Sequence, residues 1–125
     1  MKFNIDGVDY NVLVTDIKRN GKIKASKLSG EVKSGEMFRD IVGTYYGYTF
    51  DVATDRLSPT DYDALYEVLT APVSSHTVMM PYGRSTIMLK VYVDSVSDTL
   101  VRDADERLWS GLKVNLIAKK PSRRP

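Results

Sequence analysis

His76 is the only histidine in the chain, and it follows directly on Ser75. A nucleophile and its base must converge in space, whereas neighbours on an extended chain point to opposite sides. No G-x-S-x-G elbow accompanies the pair. A histidine on the surface or in a turn is therefore expected, not a catalytic base. The stretch "DADE" (Asp103, Asp105, Glu106) begins like a calcium loop, but the required glycine and distal glutamate are missing. The chain has no cysteine, which excludes thiolate metal sites and disulfides. Phosphate loops and dinucleotide fingerprints are absent too. These residues predict no catalytic site, no metal and no cofactor: the expectation is a protein that is not an enzyme.

Binding chemistry is better represented. Net charge is only +2, but eleven of the eighteen lysines and arginines are gathered into two acid-free stretches. One holds Lys18, Arg19, Lys22, Lys24 and Lys27; the other runs from Arg107 through Lys113, Lys119, Lys120 and Arg123 to Arg124. The rest of the chain is net acidic. Such segregation suits nucleic acid, but it equally lets copies of one protein meet, basic arm against acidic body. Tyr45, Tyr46 and Tyr48 beside these bases form a candidate stacking platform for single-stranded nucleic acid. Tyrosine is also a preferred strand residue, so the same three suit a sheet core and its rim. The ending "KKPSRRP", residues 119–125, reads as a basic, solvated tail after the last strand.

The elements that position these groups are mostly strands. In "KFNIDGVDYNV", Phe3 and Ile5 alternate with polar residues and Asp6-Gly7 supplies a hairpin turn. Asn20-Gly21 offers a second turn of the same kind, making residues 18–36 a polar, projecting arm. In "FRDIVGTYYGYTFDV", Phe38, Val42, Tyr46, Tyr48, Phe50 and Val52 share one parity, as on a long strand with one buried face. "SPTDYDALYEVLTAP" is a helix over about 59–70. Ser58 is its N-cap, Pro59 opens it, and Tyr62, Leu65, Tyr66 and Leu69 form one apolar stripe. A hairpin around Pro81-Tyr82-Gly83 follows. Ile87, Leu89, Val91 and Val93 then share one face, and Leu112, Val114, Leu116 and Ala118 share another. At 125 residues the chain suits one domain, 1–125, and no apolar run approaches the ~20 residues that span a bilayer. The expected fold is mainly β: an antiparallel β-sandwich or split barrel with one flanking α-helix and a projecting hairpin.

The order of these pieces carries a resemblance. It runs "IDGVDYNV", "GEMFRDIVGTYYGYTFDV", a capped helix ending "YEVLTAPVSSHTVMMPYG", then "IMLKVYVDSVSD" and "WSGLKVNLIAKKPSR". This resembles small structural proteins of tail modules in tailed bacteriophages and prophages, and is similar to tail-tube and distal-tail proteins. The resemblance implies a virion component that forms a homo-oligomeric ring, usually hexameric, around the tail channel in the tube or at its distal, baseplate end. It implies assembly in the host bacterial cytoplasm and contact with other tail proteins such as tube, tape measure and baseplate hub. Lys18, Arg19, Lys22, Lys24 and Lys27 are then the expected subunit-interface residues. A small β-domain that binds single-stranded nucleic acid is the alternative.

Overall fold

The computed structural model describes residues 3–26, 30–31, 35, 37–53, 57–103 and 107–125. Its strands are β1 (Phe3–Ile5), β2 (Val8–Tyr10), β3 (Leu13–Ala25), β4 (Gly30–Glu31), β5 (Met37–Phe38), β6 (Ile41–Ala53), β7 (His76–Tyr82), β8 (Ser85–Asp103) and β9 (Arg107–Ala118), with helix α1 (Pro59–Leu69) between β6 and β7. Seven strands form one antiparallel sheet in the order β2-β1-β7-β8-β9-β6-β3, and β4 pairs with β5 alone. The mainly β architecture with one helix is as the sequence predicts.

The β1–β2 hairpin turns where expected. Asp6 and Gly7 both adopt positive φ, 52° and 81°. A two-residue turn of this hand matches the right-handed twist of the strands, and aspartate and glycine tolerate it best. The β7–β8 hairpin also forms, pairing Tyr82 with Ser85 across Gly83-Arg84.

The second expected turn is not there. Asn20 and Gly21 lie inside β3, paired with Gly47 and Tyr46 of β6. Asn-Gly favours a turn only when its flanks have no better partner, and β6 supplies thirteen residues of one. Residues 18–25 therefore run as one strand along β6, with no turn at Asn20-Gly21. Lys27 and most of the remaining residues of the expected arm, 18–36, lie outside the described residues.

β3 also carries a bulge between Thr15 and Lys18, with Asp16 at a φ of 51°. A bulge inserts an unpaired residue and so changes which parity faces inward. Before it, Val14 faces the core opposite Val52; after it, Arg19 and Gly21 stand opposite the buried Tyr48 and Tyr46.

The sheet curls on itself. β1 and β6 are four places apart in the sheet, roughly 19 Å if it were flat. Yet the rings of Phe3 and Phe50 lie 5.5 Å apart by centroid. Tyr46 on β6 likewise meets Tyr82 on β7, at 5.3 Å. The two halves therefore face each other in a sandwich-like arrangement around one core that includes Phe3, Ile5, Tyr48, Phe50, Val91 and Leu116.

Helix α1 closes this core. Ser58 Oγ accepts a hydrogen bond from the Asp61 amide at 3.2 Å, satisfying one of the donors a helix start leaves open. Tyr62, Leu65 and Leu69 are buried in the common core. The Tyr62 hydroxyl donates to Asp98 of β8 at 2.6 Å. Burial first, and the Asp98 carboxylate second, push that phenol well above its usual range, so it stays a donor at physiological pH.

Candidate functional site

The basic stretch expected to form an interface lies on β3, at the edge of the sheet. Lys18, Lys22 and Lys24 share one face because they are an even number of residues apart in unbroken register with β6. Lys22 pairs across the strands with Tyr45, and the Lys24 ammonium lies 4.4 Å from the Tyr45 ring centroid. That distance is within cation–π range. Arg19 is parted from these lysines, since it stands on the opposite face. Its guanidinium lies 5.4 Å from the Tyr82 ring centroid. The structure thus brings together three of the five expected interface residues.

The three tyrosines do not form a platform. Tyr46 and Tyr48 are buried, Tyr48 to 1 % exposure. The Tyr48 hydroxyl donates to the Pro81 carbonyl at 2.8 Å, and the hydroxyls of Tyr46 and Tyr82 are 3.0 Å apart. The hydrogen bond to Tyr46 pushes the Tyr82 phenol up. Bases cannot stack on rings that already serve as core and as inter-strand ties. Only Tyr45 of the three stays partly open, and Lys24 covers it.

The tail is less free than its composition suggests. Arg123 forms a β-bridge with Thr44, with Thr44 N donating to Arg123 O at 2.8 Å and Ser122 N donating to Thr44 O at 2.9 Å. Residues 119–125 were expected to be wholly solvated. Polar side chains do not stop a backbone from pairing, and the outer side of β6 beyond β9 offers open partners. The Lys120, Arg123 and Arg124 side chains are exposed, so the tail adds charge to the same end of the sheet, across β6 from β3.

His76 is a correction of a different kind. It is buried, at 5 % exposure, and not a surface or turn residue. Its Nδ1 lies 2.6 Å from Asp6 Oδ2, while Asp6 Oδ1 accepts from the Thr77 amide at 2.9 Å. The pair ties the β1–β2 turn to the start of β7. Partial burial opposes ionisation of Asp6, but the hydrogen bonds from His76 and Thr77 and the histidine's charge outweigh it, holding the carboxyl below its ordinary range. The distance between residues 6 and 76 hides this contact from any motif. The Asp-Gly turn, which aims its aspartate back at the neighbouring strand, was the available signal.

A pH dependence follows. A carboxyl held below its unfolded value of 3.8 contributes stability above that value, and the contribution is lost as pH falls through the folded value. Asp6→Asn keeps the turn but removes the charge. Its melting temperature is expected to fall below wild type at pH 7, with the gap narrowing in strong acid. A gap that stays constant from pH 7 to below 3 would mean the carboxylate does no such work. His76→Ala is expected to cost about 0.5–3 kcal/mol, where a surface position would cost little.

No three His, Asp or Glu residues converge as a metal site among the described residues. Asp103 of the "DADE" stretch pairs with Arg107 at 3.0 Å, and Asp105 and Glu106 lie outside the described residues.

A second feature escaped the sequence reading. Leu13, Ala53, Leu57, Pro59, Tyr62 and Trp109 help line a cleft of about 840 Å³ where α1 meets the starts of β3 and β9. Its rim carries Asp63 and Arg107. Trp109, the only tryptophan in the chain, is thus part of an open apolar surface.

Fold and site together define an antiparallel β-domain with a long basic edge strand and an apolar cleft. Searches of known protein families and of curated proteins find no match for this chain.

Proposed function

We propose that the protein is a structural subunit of a bacteriophage tail. It forms a ring, hexameric in the architecture it resembles, around the tail channel in the tube or at its distal, baseplate end. Its partners are further copies of itself and other tail proteins. It needs no cofactor and catalyses no reaction.

The observation that carries this reading is β3. It is thirteen residues long, mostly exposed, and stands at the edge of the sheet with only β6 pairing to it among the described residues. A long edge strand offers open backbone donors and acceptors, which proteins either blunt with charge or use for assembly. Lys18, Lys22 and Lys24 do the first in the monomer. Against an acidic neighbour the same lysines fix register. Binding of single-stranded nucleic acid loses support, because two of its three candidate rings are buried.

Native mass spectrometry and negative-stain imaging of the purified protein test the reading. Closed rings are expected; a protein that stays monomeric at every accessible concentration overturns it. Lys22→Glu combined with Lys24→Glu is expected to weaken assembly severalfold at low salt. At 1 M salt, where charge reaches only about 3 Å, the deficit should shrink. Wild-type binding of single-stranded DNA through these lysines, lost in the double variant, would favour the nucleic-acid reading instead. Deleting residues 19–26 is not a clean test, since it removes half of β3 and strips β6 of its partner.

A further inference from the structure

The two ends of the sheet differ in charge, and both expose apolar side chains. At one end the β3–β6 pair runs past β9, since β9 partners β6 only from Gly47 to Val52. This ribbon, residues 20–25 with 41–46, carries Lys22, Lys24 and the paired tail with Arg123 and Arg124. It also exposes Ile23 (53 %), Ile41 and Val42. Arg39 donates to the Ile23 carbonyl at 3.3 Å, adding a further base.

At the other end is the cleft. Leu13, Leu108 and Trp109 (37 %) are exposed there. Asp63 lies on its rim, together with Arg107, which is paired with Asp103. Its volume is typical of sites that enclose a ligand or a few side chains.

From Ile41 to Ala53 along β6 is twelve residue steps, on the order of 40 Å at the rise of a strand. A hydrogen-bonded ribbon cannot fold back over that distance to fill its own cleft. We infer that the cleft between α1 and the start of β9 receives the β3–β6 ribbon of a second copy, head to tail. Ile23, Ile41 and Val42 cover Leu13, Leu108 and Trp109, while the bases of the ribbon and tail meet Asp63 and the Asp103–Arg107 pair. The contact joins two different surfaces, so repeating it closes a ring or continues as a filament, according to the rotation between copies. The inference rests on the self-assembly proposed above and names the surfaces that would perform it.

Sedimentation velocity on two variants tests it. Ile23→Asp damages the ribbon and Leu108→Asp damages the cleft; both positions are exposed, and a thermal melt checks that each variant folds. Each variant alone is expected to self-associate at least tenfold more weakly than wild type. Mixed together, they should form dimers and nothing larger, because the mixture retains one intact ribbon and one intact cleft per pair. Should either variant misfold, Val42→Asp and Leu13→Asp take their places. Wild-type assembly that survives both lesions would leave the tail-subunit reading standing and overturn this contact. So would loss in the cleft variant alone, which would assign the cleft to another part of the neighbour or to another protein. A wild type that never self-associates would overturn both.

Discussion

Leu65→Ala is expected to lower folding stability by about 2–5 kcal/mol, the usual cost of emptying a buried leucine site. Leu65 has no exposed surface and belongs to the same core cluster as Phe3, Phe50 and Leu116. Leu69, at the end of the same stripe, is nearly as buried and should cost a similar amount. Removing either side chain leaves a void that helix and sheet cannot close fully, because Tyr62 stays tied to Asp98 and fixes the height of the helix. Glu67 is exposed on the other side of α1, and Glu67→Ala should stay within about 0.5 kcal/mol of wild type. Urea denaturation of the three variants decides the matter. A Leu65 variant with the midpoint of the Glu67 variant would show that α1 does not cover the sheet.

Gly43→Ala is expected to release the C-terminal tail and cost about 1–3 kcal/mol, as overpacking does. A Cβ at this position would lie 2.5 Å from the Arg123 carbonyl oxygen and 2.7 Å from Pro121 Cβ. Neither is the far end of a flexible side chain, so the tail itself must move. Its departure breaks the two backbone hydrogen bonds between Thr44 and residues 122 and 123. Hydrogen exchange should therefore quicken at the Thr44 and Ser122 amides while those of β8 and β9 keep their protection. Unchanged exchange at both amides would mean that the tail contact tolerates a side chain and that the glycine has another cause. Because the tail adds charge to the ribbon, the same variant should also self-associate less well than wild type.

Elements whose period is uninterrupted are legible in the residues alone. Leu112, Val114, Leu116 and Ala118 alternate without a break, and all four are buried on β9. Ser58, Pro59 and the 62-65-69 stripe specify α1 locally, since capping and helical spacing act within a few residues. Asp6-Gly7 specifies its turn for the same reason.

Features that depend on a distant partner emerge only on folding. Asn20-Gly21 has a turn's chemistry but lies in a strand, because β6 pairs across it and the energy of a ladder exceeds a local preference. The bulge after Thr15 changes the inward parity of β3, which no alternation count reveals. Arg19 consequently stands on the inward face, opposite Tyr48, and Lys18, Lys22 and Lys24 on the outward one. His76 reads as a surface residue until Asp6, seventy positions earlier, arrives against it. Trp109 lies on the last strand, and only α1 and the start of β3 raise the other walls of a cleft around it. Local signals act through neighbours in the chain and survive in the sequence. Pairing, burial and clefts are properties of residues brought together from far apart, and they exist only once the sheet has curled.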